Sequence, residues 1–130
     1  MDLKQISLQP LEKALASLNR AIAQPKNEFN RDSVIQRFEY SFELSWKLLQ
    51  KILEADRPLE DNSVKGILRE AVKQNLIEDL DHWFEFHKAR NLTSHTYNEI
   101  TAEEVHGIAV RFPSAVTILI ERAQKSISRS

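Results

Sequence analysis

The chain has no cysteine, and only two glycines and four prolines among its 130 residues. Without cysteine there is no disulfide, no thiolate metal site and no cysteine nucleophile. With so few turn-forming residues there is little room for hairpins, and an all-α chain is the natural expectation. No apolar run approaches the ~20 residues of a membrane-spanning helix. The opening segment, Met1-Asp2-Leu3-Lys4-Gln5, has no apolar signal core, so a cytoplasmic, non-membrane protein is expected. Charge of one sign is also missing: 18 Lys and Arg against 19 Asp and Glu give a formal net charge of −1. A protein that coats duplex nucleic acid is normally basic, so any nucleic-acid contact here must be local and built from a few residues in a cleft. No glycine-rich phosphate loop, serine nucleophile elbow, internal repeat or low-complexity segment is present.

What is there is helical periodicity. Leu8, Leu11, Leu15, Leu18 and Ile22 form one stripe and predict a first helix over about 2–24. Residues 25–31 break it, and Asp32 is the expected N-cap of a second helix over about 33–55. Ile35, Phe38, Phe42, Ser45, Leu49 and Ile52 make one face of that helix, and Val34, Leu44, Trp46, Leu48 and Leu53 widen it. A helix apolar on more than one face is central to a bundle or buried against a second chain. A shorter helix is predicted over 63–74, a turn over 75–78 and a fourth helix over 79–93. Thr101-Ala102-Glu103-Glu104 reads as a capping box for a fifth helix, with a kink or break at Pro113 and fraying over 124–130.

The chemistry-bearing segment is Arg90-Asn91-Leu92-Thr93-Ser94-His95-Thr96-Tyr97, at the end of the fourth helix. His87, Arg90, Ser94 and Tyr97 would share one helical face if that helix continued. Arg90 and His95 would not: five residues is about 140° around an ideal helix. They converge only if the helix ends or tightens near Ser94, or if a second copy supplies the other side of a cleft. Arginine offers a fork suited to phosphate, and histidine moves a proton near neutral pH. Together they suit metal-free attack of a ribose 2′-hydroxyl on the adjacent phosphate, with Tyr97 orienting the phosphate or accepting a modification. The competing reading is a helix end whose Arg and His offset the macrodipole.

Other candidates carry less. His82 and His87, with Glu78, Asp79 and Asp81, are metal-ligand types. They lack the two-histidine spacing of a helical zinc site, so no metal and no cofactor is expected. Glu39 and Glu43 lie one turn apart and read as a solvated edge, or as partners of Arg37 and Lys47. Trp46 and Trp83 read as core.

Two blocks carry a family resemblance. Arg90-Asn-Leu-Thr-Ser-His95-Thr-Tyr97-Asn resembles the Arg-x4-His-x-Tyr motif of the HEPN superfamily. Gln36-Arg37-Phe38-Glu39-Tyr40-Ser41-Phe42-Glu43-Leu44-Ser45-Trp46-Lys47 is similar to the second-helix block of its nucleotidyltransferase substrate-binding, HepT-like branch. The resemblance covers nearly the whole chain and implies one HEPN-like domain over 1–130. The resemblance implies that this domain is an up-and-down antiparallel bundle of four main helices and a shorter one, homodimeric through a shared cleft. It implies an MNT-type minimal nucleotidyltransferase as partner, with RNA or a nucleotide as substrate. Arg90 and His95 would be catalytic in a metal-independent RNase toxin, with Asn91, Ser94 and His87 supporting the cleft. Tyr97 would be the tyrosine that the transferase adenylylates in a type VII-like toxin–antitoxin pair. The alternative implied is a non-catalytic substrate-binding subunit of the transferase.

Overall fold

A computed structural model describes residues 2–129, and among them every regular element is helical. A 3₁₀ turn at Leu3–Gln5 precedes α1 (Gln9–Ile22), α2 (Glu28–Leu53), α3 (Val64–Lys73) and α4 (Leu80–Leu92). A second 3₁₀ turn, Thr93–His95, continues directly from α4, and α5 (Glu99–Ala109) and α6 (Phe112–Ser128) complete the up-and-down bundle. The expected break near Pro113 is real. The chain stops at Ala109 and restarts at Phe112, with the proline in the first turn of α6, where its missing N–H has no intrahelical partner to lose.

The position of α2 explains its composition. It packs against each of the other five helices, so its broad apolar surface is used within the chain and does not by itself call for a second copy. Val34, Ile35, Phe38, Phe42, Leu48, Leu49 and Ile52 are all buried. At the centre Phe112 meets four rings, those of Phe38, Phe42, Trp83 and Phe86, with centroids 5.0–6.0 Å away. Three of these contacts are edge-on, the arrangement that ring quadrupoles favour. Trp83 is core, as expected, whereas Trp46 is half-buried with Lys47 lying over its ring.

Several boundaries differ from the sequence expectation. The first helix starts only at Gln9, with Pro10 in its first turn. The N-cap of α2 is Asn27, not Asp32: Asn27 Oδ1 accepts from the Asn30 N–H at 2.9 Å, so the helix begins inside the predicted break. The cap of α5 is Asn98, not Thr101, and its Oδ1 accepts from the N–H groups of Ile100 and Thr101. Residues 124–128 continue α6, and Ile127 packs on the core. The α3 end is a Schellman turn. Leu76 N–H donates to Ala71 O and Asn75 N–H to Val72 O, with Asn75 at φ 62°. Among the described residues, no helix is long and apolar enough to cross a membrane.

Candidate functional site

The Arg90–Tyr97 segment sits where α4 tightens into a 3₁₀ turn and hands over to α5. The tightening starts at Thr93, whose hydroxyl lies 2.7 Å from the Arg90 carbonyl oxygen. Thr96 Oγ1 donates to Thr93 O at 3.2 Å, and Asn98 N–H donates to His95 O. The turn therefore satisfies carbonyls that the end of α4 leaves free. Asn98 then caps α5, so the chain changes direction without a long loop.

The two ends of this turn are anchored to α2. Arg90 is half-buried, and its Nε lies 2.5 Å from Glu43 Oε1. The Nε atom is out of contact with solvent and its N–H is not aligned on that oxygen, so the contact is a close ion pair rather than a bidentate fork. Thr93 Oγ1 lies 2.5 Å from Glu39 Oε2. On the far side of the turn, Arg31 ties the start of α2 to the start of α5. Arg31 is only 5% exposed, and its guanidinium donates to both carboxylate oxygens of Glu99 at 2.7 and 3.2 Å and to Glu103 at 3.2 Å. Lys26 reaches the other oxygen of Glu103 at 2.6 Å. The Arg31 guanidinium in turn holds Glu99 below the usual carboxylate range, and Lys26 and Arg31 together do the same for Glu103.

The sequence-predicted residues divide into three groups. Arg90 is held at the α2 face, and His95 and Tyr97 project from the turn. The His95 and Tyr97 rings meet edge-on with centroids 6.1 Å apart, and Tyr97 is 84% exposed. Asn91 and Ser94 are exposed beside them. His87 stands apart: it stacks on Phe42 at 5.9 Å and 16°, half-buried between α2 and α4. Burial lowers its pKa first, Lys65 and Arg90 lower it further, and Glu43 opposes them. Because α4 ends at Leu92, the single face of His87, Arg90, Ser94 and Tyr97 does not continue past Arg90.

The contacts of Glu43 with Arg90 and of Glu39 with Thr93 are what sequence reasoning missed, although it had paired the two carboxylates. The Glu43–Lys47 pair it expected exists at 4.0 Å, but the Arg90 contact is much shorter. Arg37 turns the other way, donating to Ser17 and Ser33 hydroxyls on the α1 side. Only the turn of helix shared by Glu39 and Glu43 hinted that they act together.

Bundle and turn together define a helical protein that displays a histidine and a tyrosine at one corner, with an arginine braced behind them. Residues 6–125 match the family described as nucleotidyltransferase substrate binding protein like. The chain belongs to that family. A relative from Haemophilus influenzae, named probable ribonuclease HepT, is 30% identical over 93% of this chain and 94% of its own. A crystal structure of a Thermus thermophilus protein is 35% identical, covers 87% of this chain and 98% of its own, and has a TM-score of 0.79. A structure from Haemophilus influenzae is 30% identical with a TM-score of 0.82, covering 91% of this chain and 99% of its own. It is described as revealing the fold of a substrate binding domain of a nucleotidyltransferase. The family is thus the one to which the α2 block and the Arg90–Tyr97 run pointed.

Proposed function

We propose that this chain is a metal-independent endoribonuclease of the toxin type, whose working groups are Arg90 and His95. The observation that carries the reading is the turn itself. It exposes a histidine next to a tyrosine and keeps the arginine of the same segment braced on α2. The relative named as a probable ribonuclease supports it. In the reaction, His95 takes the proton of a ribose 2′-hydroxyl and the 2′-oxygen attacks the adjacent phosphorus. The bond from phosphorus to the 5′-oxygen breaks, and the departing 5′-oxygen takes a proton from water. A 2′,3′-cyclic phosphate remains, and Arg90 stabilises the negative charge that builds on the phosphoryl oxygens.

Two copies would form the cleft. Phe29 at 83%, Tyr97 at 84% and Ile100 at 81% exposure are large side chains left open at the helix starts and turn around the site, a surface that a second copy would cover. The partner would be a minimal nucleotidyltransferase that adds AMP to the Tyr97 hydroxyl and blocks the cleft. The Tyr97 hydroxyl displaces pyrophosphate from ATP at the α-phosphorus and loses its proton to solvent. The structure described as a transferase's substrate binding domain also supports a second reading, in which the chain only holds substrate or nucleotide for that enzyme.

Cleavage of a ribo-oligonucleotide in excess chelator separates the two. The ribonuclease reading expects products ending in cyclic phosphate, and loss of cleavage in His95→Ala and Arg90→Ala. The binding-subunit reading expects no cleavage and a transferase activity that depends on this chain. Intact mass with the transferase and ATP should rise by one or more adenylate units in wild type and not in Tyr97→Phe.

A further inference from the structure

The reaction above leaves two carboxylates of α2 unused. Glu39 and Glu43 are one helical turn apart and project from one side of α2. That side faces the end of α4, where each carboxylate takes a different point of the motif segment. Glu43 Oε1 lies against Arg90 Nε, and Glu39 Oε2 lies against the Thr93 hydroxyl. Arg90 lies in the last turn of α4, and Thr93 is the first residue of the 3₁₀ turn that carries His95. The pair therefore holds the helical side and the turn side of the site from one rigid element.

The manner of the Arg90 contact matters more than its presence. A guanidinium carries five N–H donors, one on Nε and four on the two terminal nitrogens. Glu43 lies against the Nε side as a close ion pair with no aligned hydrogen bond, and among the described residues the terminal nitrogens of Arg90 make no hydrogen bond to another side chain. Arg31 shows the contrast: both its terminal nitrogens already donate to the carboxylates of Glu99 and Glu103. Arg90 is held by one edge and open at the other, the edge that matches two phosphoryl oxygens. Thr93 adds a second constraint. Its hydroxyl has one proton and lies between two acceptors, Glu39 Oε2 at 2.5 Å and Arg90 O at 2.7 Å. It links the α2 carboxylate to the main chain of Arg90 as well as to the turn.

We propose that Glu43 and Glu39 are the positioning residues of the Arg90–His95 site. Glu43 fixes the guanidinium by its Nε edge so that the terminal edge faces the scissile phosphate, and Glu39 fixes through Thr93 the turn that presents His95. The proposal rests on the ribonuclease reading for its kinetic consequence, though not for its geometry. That consequence is specific, because Glu43 is also a negative charge beside a phosphate site. It repels the substrate phosphate while it orients the arginine. Removing the charge and keeping the shape should therefore move binding and turnover in opposite directions.

The test uses the full chain with a ribo-oligonucleotide in chelator, and circular dichroism to confirm that each variant is folded. Glu43→Gln is expected to lower KM several-fold and to lower kcat by on the order of tenfold or more, the scale at which misorientation of a catalytic group is felt. Glu43→Asp, which restores the charge on a shorter arm, recovers the wild-type KM and part of kcat. Thr93→Val is expected to lower kcat with KM unchanged. Adding Glu39→Gln to it lowers kcat no further, since the two remove one interaction. A parallel fall of kcat without a KM change in Glu43→Gln, or no change in either, would overturn the role of Glu43; additive losses would overturn the Glu39–Thr93 link. If the wild-type chain cleaves nothing, the ribonuclease reading is what has failed. The geometry is then read from the ¹⁵N signal of Arg90 Nε–H, assigned by its loss in Arg90→Lys. A shift and faster solvent exchange in Glu43→Gln support the brace, and an unmoved signal rejects it.

Discussion

Phe112 meets four aromatic rings and has no exposed surface, so its removal leaves a hole that rigid rings cannot refill. Phe112→Ala is expected to cost about 3–5 kcal/mol, measured as a lowered urea midpoint. The burial of Phe38 and Phe42 could be read from their positions in the apolar stripe of α2. The contact between Arg90 and Glu43 could not. It joins residues far apart in the chain by a geometry that only the packing of α2 on α4 produces, and Glu43 had a nearer cation at Lys47 to account for it. Arg31 was hidden for the same reason. It lies in a stretch that reads as a break, and the acids that justify burying it come 68 and 72 residues later.

At the scale of elements, the order of helices followed from apolar spacing, and the ends that failed were those decided by side chains that periodicity does not weigh. Asn27 and Asn98 are both helix-starting residues, but Asp32 and the Thr101–Glu104 box offered equally good chemistry a few residues on. Asn98 caps two N–H groups of α5, so Asn98→Ala is expected to lower stability by about 0.5–2 kcal/mol in urea unfolding. The start of α3 is tighter still. A Cβ on Gly66 would come within 2.6 Å of the Asp61 carbonyl oxygen and closer to its side chain, in a loop that Asp61 holds by accepting from Ser63 N–H and Oγ–H. Gly66→Ala is therefore expected to destabilise by about 1–3 kcal/mol, while Gly107→Ala, with open space around its Cα, is tolerated.

For the molecule as a whole, acidity acts in two windows. His87 and His106 both have pKa values lowered from 6.5, chiefly by burial, so the folded chain keeps them neutral where the unfolded chain takes up protons. Stability from this source is intact above pH 6.5 and is lost as pH falls from there toward the folded values. Glu99, lowered by Arg31, and Glu103, lowered by Lys26 and Arg31, add a further loss only below about 4.5. Urea midpoints should therefore fall between about pH 7.5 and about pH 5.5, and a His87→Phe, His106→Phe double variant should flatten that first window while leaving the second. Association is a separate axis: light scattering on the dimer reading gives twice the chain mass, and Ile100→Lys shifts it toward one chain.

The segment that carries His95 and Tyr97 is fastened on both sides, by Glu39 and Glu43 at the end of α4 and by Asn98 and the Arg31 clamp at the start of α5. It behaves as a fixed post rather than a tether. On the proposed reading, an enzyme that modified Tyr97 would not reel the chain into a deep tunnel, because the segment between the two fastenings is short and held at both ends. Such an enzyme would offer a wide, shallow mouth that accepts a side chain from a protruding corner, and the same corner would then shut out any bulky competitor while the two are joined.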